Sequence, residues 1–272
     1  MANTERIETL KEKVHISDII RAIEKVAPLS LQESWDNSGL QVGSPNAWIT
    51  GVLTTVDVTP EVVDEAVRLG ANLIVSHHPL LFHGLKSITG ETRNQKALIA
   101  AIKNNITVYS CHTPLDKAED GLSWQLAKYL GFEPFLPLVP AEPGTKTGLG
   151  VICKGDQETP VNFFIDLIKK KFPHMRHSSL EIGPWEIGFI AVCTGSGSSL
   201  IPDVLRANCQ MFITGDLRHH DFVDYSDQLI LVDCGHYETE VFAKYCLRDI
   251  ILRALPRLTV HVSHKDKTSI EY

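Results

Sequence analysis

The residues of this chain that could do chemistry gather where apolar runs end. Leu73-Ile74-Val75-Ser76 stops abruptly at His77-His78-Pro79. Successive side chains of a regular strand point to opposite faces, so two adjacent imidazoles can converge on one site only where the strand ends, and Pro79 cannot donate a ladder hydrogen bond. The run Ile106–Cys111 is followed by His112-Thr113-Pro114-Leu115-Asp116, and Leu229–Asp233 is followed by Cys234-Gly235-His236, with Glu240 four residues further on. Residues at that separation share a helix face, with Cβ atoms about 6 Å apart. Each group has a plain alternative: one core and one solvated histidine for the pair, an ordinary surface pair for His236 and Glu240. Their common placement favours a site, because open α/β sheets hold ligands at the carboxyl ends of their strands.

Three imidazoles and two carboxylates, His77, His78, His236, Asp116 and Glu240, suit Zn, Mn, Fe, Co or Ni, and are too rich in nitrogen for a dedicated Ca²⁺ or Mg²⁺ cage. Five ligands serve two divalent ions better than one: zinc alone takes four, or three and a water, whereas two ions ~3.5–4 Å apart share a bridging carboxylate. Glu240 is the expected bridge. His112 is either a sixth ligand or, as we read it, a group that orients a ligand or faces substrate, and His83 has the same ambiguity. Gly215-Asp216-Leu217-Arg218-His219-His220-Asp221 is a second polar cluster in which Arg218 or His220 could touch substrate. His112 and His220 are the candidate proton shuttles. Gly195-Ser-Gly-Ser-Ser199 could cradle a phosphate on backbone N–H groups, but it lacks the lysine of a Walker loop.

The elements that position these residues follow from periodicity and from helix stops and starts. Ile16, Ile19, Ile20, Ile23 and Val26 mark one face of a helix that Pro28 ends. Val52–Val58 reads as a strand, Thr59-Pro60 as the start of a helix carrying Val62, Val63, Ala66 and Val67, and Leu73–Ser76 as the next strand, a βαβ unit. A helix near 95–104 and the strand Ile106–Cys111 repeat the step, and a helix over Leu122–Leu130 stops at Gly131. Prolines 134, 137, 140 and 143 with Gly144 mark a domain boundary, since no helix or central strand tolerates them. Beyond it, strands at 148–153, 185–193, 211–214, 229–233 and 258–264 alternate with helices at 160–172, 201–207, after Arg218, and from about Glu240 to Leu255. Ser34-Trp35-Asp36-Asn37 to Gly43 reads as a specific packed loop in which Trp35 and Leu40 need burial. Val62–His78 and Ile201–His220 echo each other weakly, each running helix, strand, then a His-His pair.

Composition excludes several classes. Of 272 residues, 43% are hydrophobic and 22% charged, which is ordinary for a folded globular chain and leaves no room for disorder or a fibrous repeat. The net charge of -7 argues against a surface built to neutralise nucleic-acid phosphates. The first dozen residues carry acids and no apolar stretch, and nothing approaches the ~18 apolar residues of a membrane span, so a cytoplasmic location is expected. Six cysteines stand singly, without a Cys-x-x-Cys pair, and read as reduced core residues.

At Ser34-Trp-Asp-Asn37 to Gly43, His77-His-Pro-Leu80, His112-Thr-Pro-Leu-Asp116 and Gly235-His236 to Glu240, the chain resembles the NGG-one-interacting-factor-three-like family, whose members are often labelled GTP cyclohydrolase I type 2 homologues. The resemblance spans essentially the whole chain. It implies an α/β fold of two similar domains with mostly parallel or mixed sheets flanked by helices, and a dinuclear metal cleft at the strand carboxyl ends. The family's ligands fall on His77, His78, Asp116, His236 and Glu240. It implies a toroidal homohexamer. The short stretch 134–146 leaves no room for the domain that longer relatives insert. Residues 1–133 with 232–272 are expected to form a first domain carrying the ligands, and 134–231 a second. The expected function is a metal-dependent hydrolase acting on a small nucleotide-like or phosphorylated substrate, with neither a membrane nor a strong nucleic-acid signal. The alternative is a metal-bearing scaffold, metal-handling or regulatory protein without catalysis.

Overall fold

The computed structural model describes residues 13–181 and 186–266. In chain order it holds α1 (Ile16–Val26), β1 (Gly39–Val42), β2 (Val52–Thr55), α2 (Pro60–Leu69), β3 (Leu73–Ser76), α3 (Arg93–Lys103), β4 (Thr107–Ser110), α4 (Thr113–Lys117) and α5 (Leu122–Leu130). Then come β5 (Pro134–Pro140), β6 (Gly148–Asp156), α6 (Val161–Lys171), β7 (Arg176–His177), β8 (Ile187–Ser196), α7 (Ile201–Arg206), β9 (Met211–Gly215) and α8 (His219–Asp224). The last are β10 (Ile230–Asp233), α9 (His236–Glu240), α10 (Ala243–Ala254) and β11 (Val260–Val262). Trp185, where the sequence places the start of β8, lies outside the described residues.

Two sheets result. The first has the order β1-β4-β3-β2-β11, the second β5-β6-β8-β9-β10-β7. In the first, β2, β3 and β4 are neighbouring parallel strands joined through α2 and α3; in the second, β8, β9 and β10 repeat that pattern through α7 and α8. The first sheet is completed by β11, parallel to β2, and by β1, antiparallel to β4; the second by the antiparallel strands β6 beside β8, β5 beside β6, and β7 beside β10. The weak echo in the sequence therefore has a counterpart in the fold, for α2-β3 and α7-β9 each deliver the middle strand of a parallel triplet.

Strands β2, β3, β4, β9 and β10 are buried along their whole length because helices cover both faces. Val52, Leu73 and Val75 meet Ile16, Ile19 and Ile23 of α1 and Leu247 and Ile251 of α10. Their neighbours Leu53 and Ile74 meet Val62, Val63 and Ala66 of α2 and Ala97 and Leu98 of α3. The helix limits follow local chemistry: the Thr59 hydroxyl accepts the Val62 N–H, Pro60 sits in the first turn, and Gly70 closes α2 in the left-handed conformation. The cysteines are all free. No described helix is long and apolar enough to cross a membrane.

The structure departs from the sequence reading in several places, among them the unexpected short elements α4 and β7. The proline-rich stretch is a strand after all, because β5 is the sheet's edge, where a residue without an N–H can sit with its nitrogen turned from the ladder. Gly39–Val42, read as loop, is a short antiparallel edge strand. Trp35 and Leu40, expected to be buried, are 57% and 42% exposed. The loop is instead pinned by Asp36, which is 8% exposed and takes hydrogen bonds from Ser38, the Asn37 N–H, and the N–H and hydroxyl of Thr113.

Candidate metal centre

The carboxyl ends of both parallel triplets converge on one cluster of side chains. His77 and His78 leave the end of β3 with their N–H groups still bonded to Thr55 and Val56 carbonyls (3.1 and 3.0 Å), so the backbone holds them in place. His112 precedes α4, which carries Asp116. From the second sheet, His236 and Glu240 open and close α9, one turn apart. Among the described residues, two overlapping groups could hold a metal ion: His77, His78 and His112, and His78, His236 and Glu240. Asp116 adjoins the first, its Oδ1 3.7 Å from His77 Nε2, which is also 3.7 Å from Glu240 Oε1.

Every imidazole of the cluster is anchored through Nδ1. His77 is held by the Cys111 carbonyl (3.1 Å), His78 by Asp57 (2.9 Å), His112 by Asp36 (2.9 Å) and His236 by Asp216 (2.6 Å). Each partner is an acceptor only, so each Nδ1 bears the hydrogen and, in the neutral ring, each Nε2 presents a lone pair. Metal-ligating histidines are oriented in the same way.

Those lone pairs face carboxylate oxygens. Glu240 Oε2 lies 2.9 Å from His78 Nε2 and 3.0 Å from His236 Nε2, yet it has no partner in hydrogen-bond geometry. His77 Nε2 and Asp116 Oδ1 are likewise buried without a partner. Unpaired buried polar atoms are costly, and lone pair against lone pair repels unless a proton or a cation stands between them. The pKa shifts express that demand. Burial lowers the His78 and His236 values, but Asp57, Glu240 and Asp216 outweigh it and bring them up to about 10 and about 9. Burial also works against the Glu240 carboxylate, and the facing histidines hold its pKa well below the usual value. For Asp116 burial wins, and its pKa is raised. The donor set therefore fits a cation of the Zn, Mn, Fe, Co or Ni type.

One backbone feature makes the arrangement possible. Gly195, at the end of β8, has φ +63°, and a Cβ there would collide with the Glu240 carboxylate. The Gly195 N–H donates to Thr239 Oγ1 (2.9 Å), which locks the strand end against α9.

The profile of the DUF34/NIF3 family, NGG1p interacting factor 3, matches residues 14–269. The chain belongs to the DUF34/NIF3 family. It is 34% identical over 229 residues to the Clostridium acetobutylicum GTP cyclohydrolase 1 type 2 homolog, covering 83% of this chain and 85% of that one. It is 29% identical over 261 residues to the Drosophila melanogaster NIF3-like protein 1, covering 93% and 87%. Among solved structures, it is similar to the Staphylococcus aureus protein SA1388, with a TM-score of 0.84 and 27% identity over 96% of this chain and all (100%) of that one.

In this DUF34/NIF3 chain the structure brings His77, His78, Asp116, His236 and Glu240 together, with His112 beside them. It does not bring His220 in: that residue is exposed on α8, its ring 5.5 Å from His219. Arg218 is also exposed, directly before α8. His83 is exposed and its ring meets Phe82 at 4.9 Å, outside both groups. Sequence reasoning missed Asp57, and it missed the anchoring role of Asp216 and Asp36, which lie in stretches it had singled out for other reasons. Asp57 and Asp216 follow the carboxyl ends of β2 and β9, so the rule that found the candidate ligands could have found them. Asp36 carries no such signal, because it reaches His112 across 76 residues from a loop.

Proposed function

We propose that this protein is a metal-dependent hydrolase with two divalent cations in the cleft between its sheets. The buried, partnerless atoms His77 Nε2, Asp116 Oδ1 and Glu240 Oε2 carry the reading. Because His78 and His236 have Nδ1 engaged, each offers one lone pair and serves one ion. Glu240 alone among the close residues turns one oxygen to His77 and the other to His78 and His236. It would therefore bridge an ion held with His77 and Asp116 to one held with His78 and His236. Such a pair supplies Lewis acidity and lowers the pKa of water. His112, with Nδ1 committed to Asp36, has Nε2 free to take and return a proton.

The substrate class we infer is a small nucleotide-like or phosphorylated molecule, a reading supported by the GTP cyclohydrolase 1 type 2 homolog name of the bacterial relatives. His78 and His236 have side chains 24% and 35% exposed, which leaves the cluster accessible from outside and favours turnover over a purely structural centre. The proposal includes the ring-shaped homohexamer that the family resemblance implies, a cytoplasmic location, and a first domain of residues 1–133 and 232–272 that carries the ligands. The test is a screen of anaerobically purified, metal-analysed protein against nucleotides, phosphoesters and cyclic amides. Metal-dependent turnover that is lost in Glu240→Ala supports the proposal. A fully metallated protein that turns over no member of the three classes refutes the hydrolase reading and leaves the scaffold.

A further inference from the structure

We propose that Trp35 and Phe82 form a stacking platform for a planar heteroaromatic ring, at the mouth of the metal centre and continuous with it through His112. The inference deepens the hydrolase reading by naming a feature of its substrate, and rests on that reading only for the chemistry done to the bound molecule. Trp35 is 57% exposed and Phe82 37% exposed, on two loops far apart in sequence. Their ring centroids are 6.0 Å apart, and the His112 ring lies 5.8 Å from Trp35 and 6.1 Å from Phe82, edge-on to both. His112 in turn lies 5.1 and 5.3 Å from the rings of His77 and His78. An unbroken run of rings thus leads from solvent to the metal-binding atoms.

The two loops are tied to each other and to the site. Asn37 Nδ2 donates to the Leu81 carbonyl (2.5 Å), the Leu81 N–H donates to Gln41 Oε1 (3.2 Å), and the His112 N–H donates to Ser38 Oγ (3.0 Å). Bonds of this kind hold the rings on a fixed frame, so the exposed indole is not the tip of a loose loop. Its geometry also selects the ligand. Carbon atoms stack at about 3.5–4.0 Å, so insertion between two rings needs ~7 Å, whereas these are 6.0 Å apart and tilted by 45°. A flat ring therefore lies on one face of the pair, and substituents on its edge point along His112 towards the cations. A ring bearing an anionic or carbonyl substituent matches both ends: a π-face for the platform, an oxygen for the metals. An aliphatic sugar phosphate matches only the second.

The experiment uses the metal-loaded full chain and two planar probes, guanosine 5′-monophosphate and flavin mononucleotide, with ribose 5-phosphate as the probe without a ring. Calorimetry gives affinity, and because the chain has four tryptophans, contact at Trp35 is read as the quenching that disappears in Trp35→Ala. The expected result is that the planar probes bind and quench emission, and that Trp35→Ala and Phe82→Ala weaken them about 5- to 150-fold, the range of one base–aromatic stack. Ribose 5-phosphate affinity and metal content should stay unchanged, and Trp35→Phe should restore most of the binding. The platform is overturned if neither planar probe binds at millimolar concentration, if ribose 5-phosphate binds as tightly as they do, or if Trp35→Ala leaves their affinity intact. Ring binding at Trp35 without turnover of any substrate would sink the hydrolase reading and keep the platform. Turnover of a ringless phosphoester that is indifferent to Trp35 would do the reverse.

Discussion

If Glu240 joins two ions whose other ligands are separate, a perturbation on one side should be felt by one ion. Asp216→Asn supplies it. Asp216 touches the cluster only through His236 Nδ1, at 2.6 Å, and its side chain is 50% exposed, so little folding free energy depends on it. It sits at φ +56°, a conformation that asparagine shares readily and alanine does not, so Asn changes the charge without straining the backbone. Loss of an anchoring partner costs about 10–100-fold in metal affinity. Asn still accepts the His236 hydrogen, and a charge-assisted bond is roughly twice as strong as a neutral one, so the low end applies: about 10-fold, or ~1.4 kcal/mol. Chelator competition followed through the d–d absorption of Co(II) should resolve two binding steps. One should weaken about 10-fold in the variant, and the step assigned to His77 and Asp116 should move less than about 2-fold. Equal weakening of both steps, or of neither, refutes the division of ligands between Glu240 oxygens.

Glu240→Ala removes both halves of the bridge, and bound metal should fall from about two ions per chain to one or fewer while circular dichroism shows an intact fold; unchanged metal content sinks the bridging role. His112→Ala should cut turnover about 10²–10⁴-fold on whichever substrate the screen finds, with both ions retained; metal loss instead makes His112 a ligand or an anchor, and full activity removes it from the mechanism. Metal binding should release protons from His78 and His236, because their metal-free pKa values of about 10 and about 9 lie above neutrality, so apparent affinity should rise with pH up to that range. The metal-free protein should show the opposite trend in stability. These folded-state values exceed the unfolded value of about 6.5, the folded chain holds the extra protons, and stability present below about pH 6.5 should decline through pH 9–10. Thermal melts of chelated and loaded protein across that range check both signs.

The candidate ligands were legible because a strand end announces itself in one dimension: an apolar run, then polar residues, then a proline or glycine. His77-His78 and His236 to Glu240 fit that pattern, and the structure brings them together. The helices of the parallel triplets were legible for a similar reason, as Thr59, Pro60 and Gly70 bound α2 by chemistry local to a few residues. Long-range facts were not. Nothing around Pro134–Pro140 says that its strand will lie at an edge, and edge position is what makes its prolines acceptable. Nothing around Trp35 says that the loop will be held by Asp36 instead of by the indole. Hydrophobicity alone predicted burial, and the hydrogen bonds of Asp36 to Thr113 and His112 took over that role.

Neither parallel triplet supplies the whole donor set. The first contributes His77, His78, His112 and Asp116, a set with one carboxylate. The second contributes His236 and Glu240, one imidazole and one carboxylate 3.0 Å apart. The two meet at Glu240, whose Oε1 lies 3.7 Å from His77 Nε2 and whose Oε2 lies 2.9 Å from His78 Nε2, and within the second half the end of β8 is glycine where a Cβ would collide with the Glu240 carboxylate. The donor set exists only where the two sheets meet, so a cation held by residues of both would stabilise that arrangement by mass action. Part of such a cation's binding free energy would then appear as cohesion between the sheets.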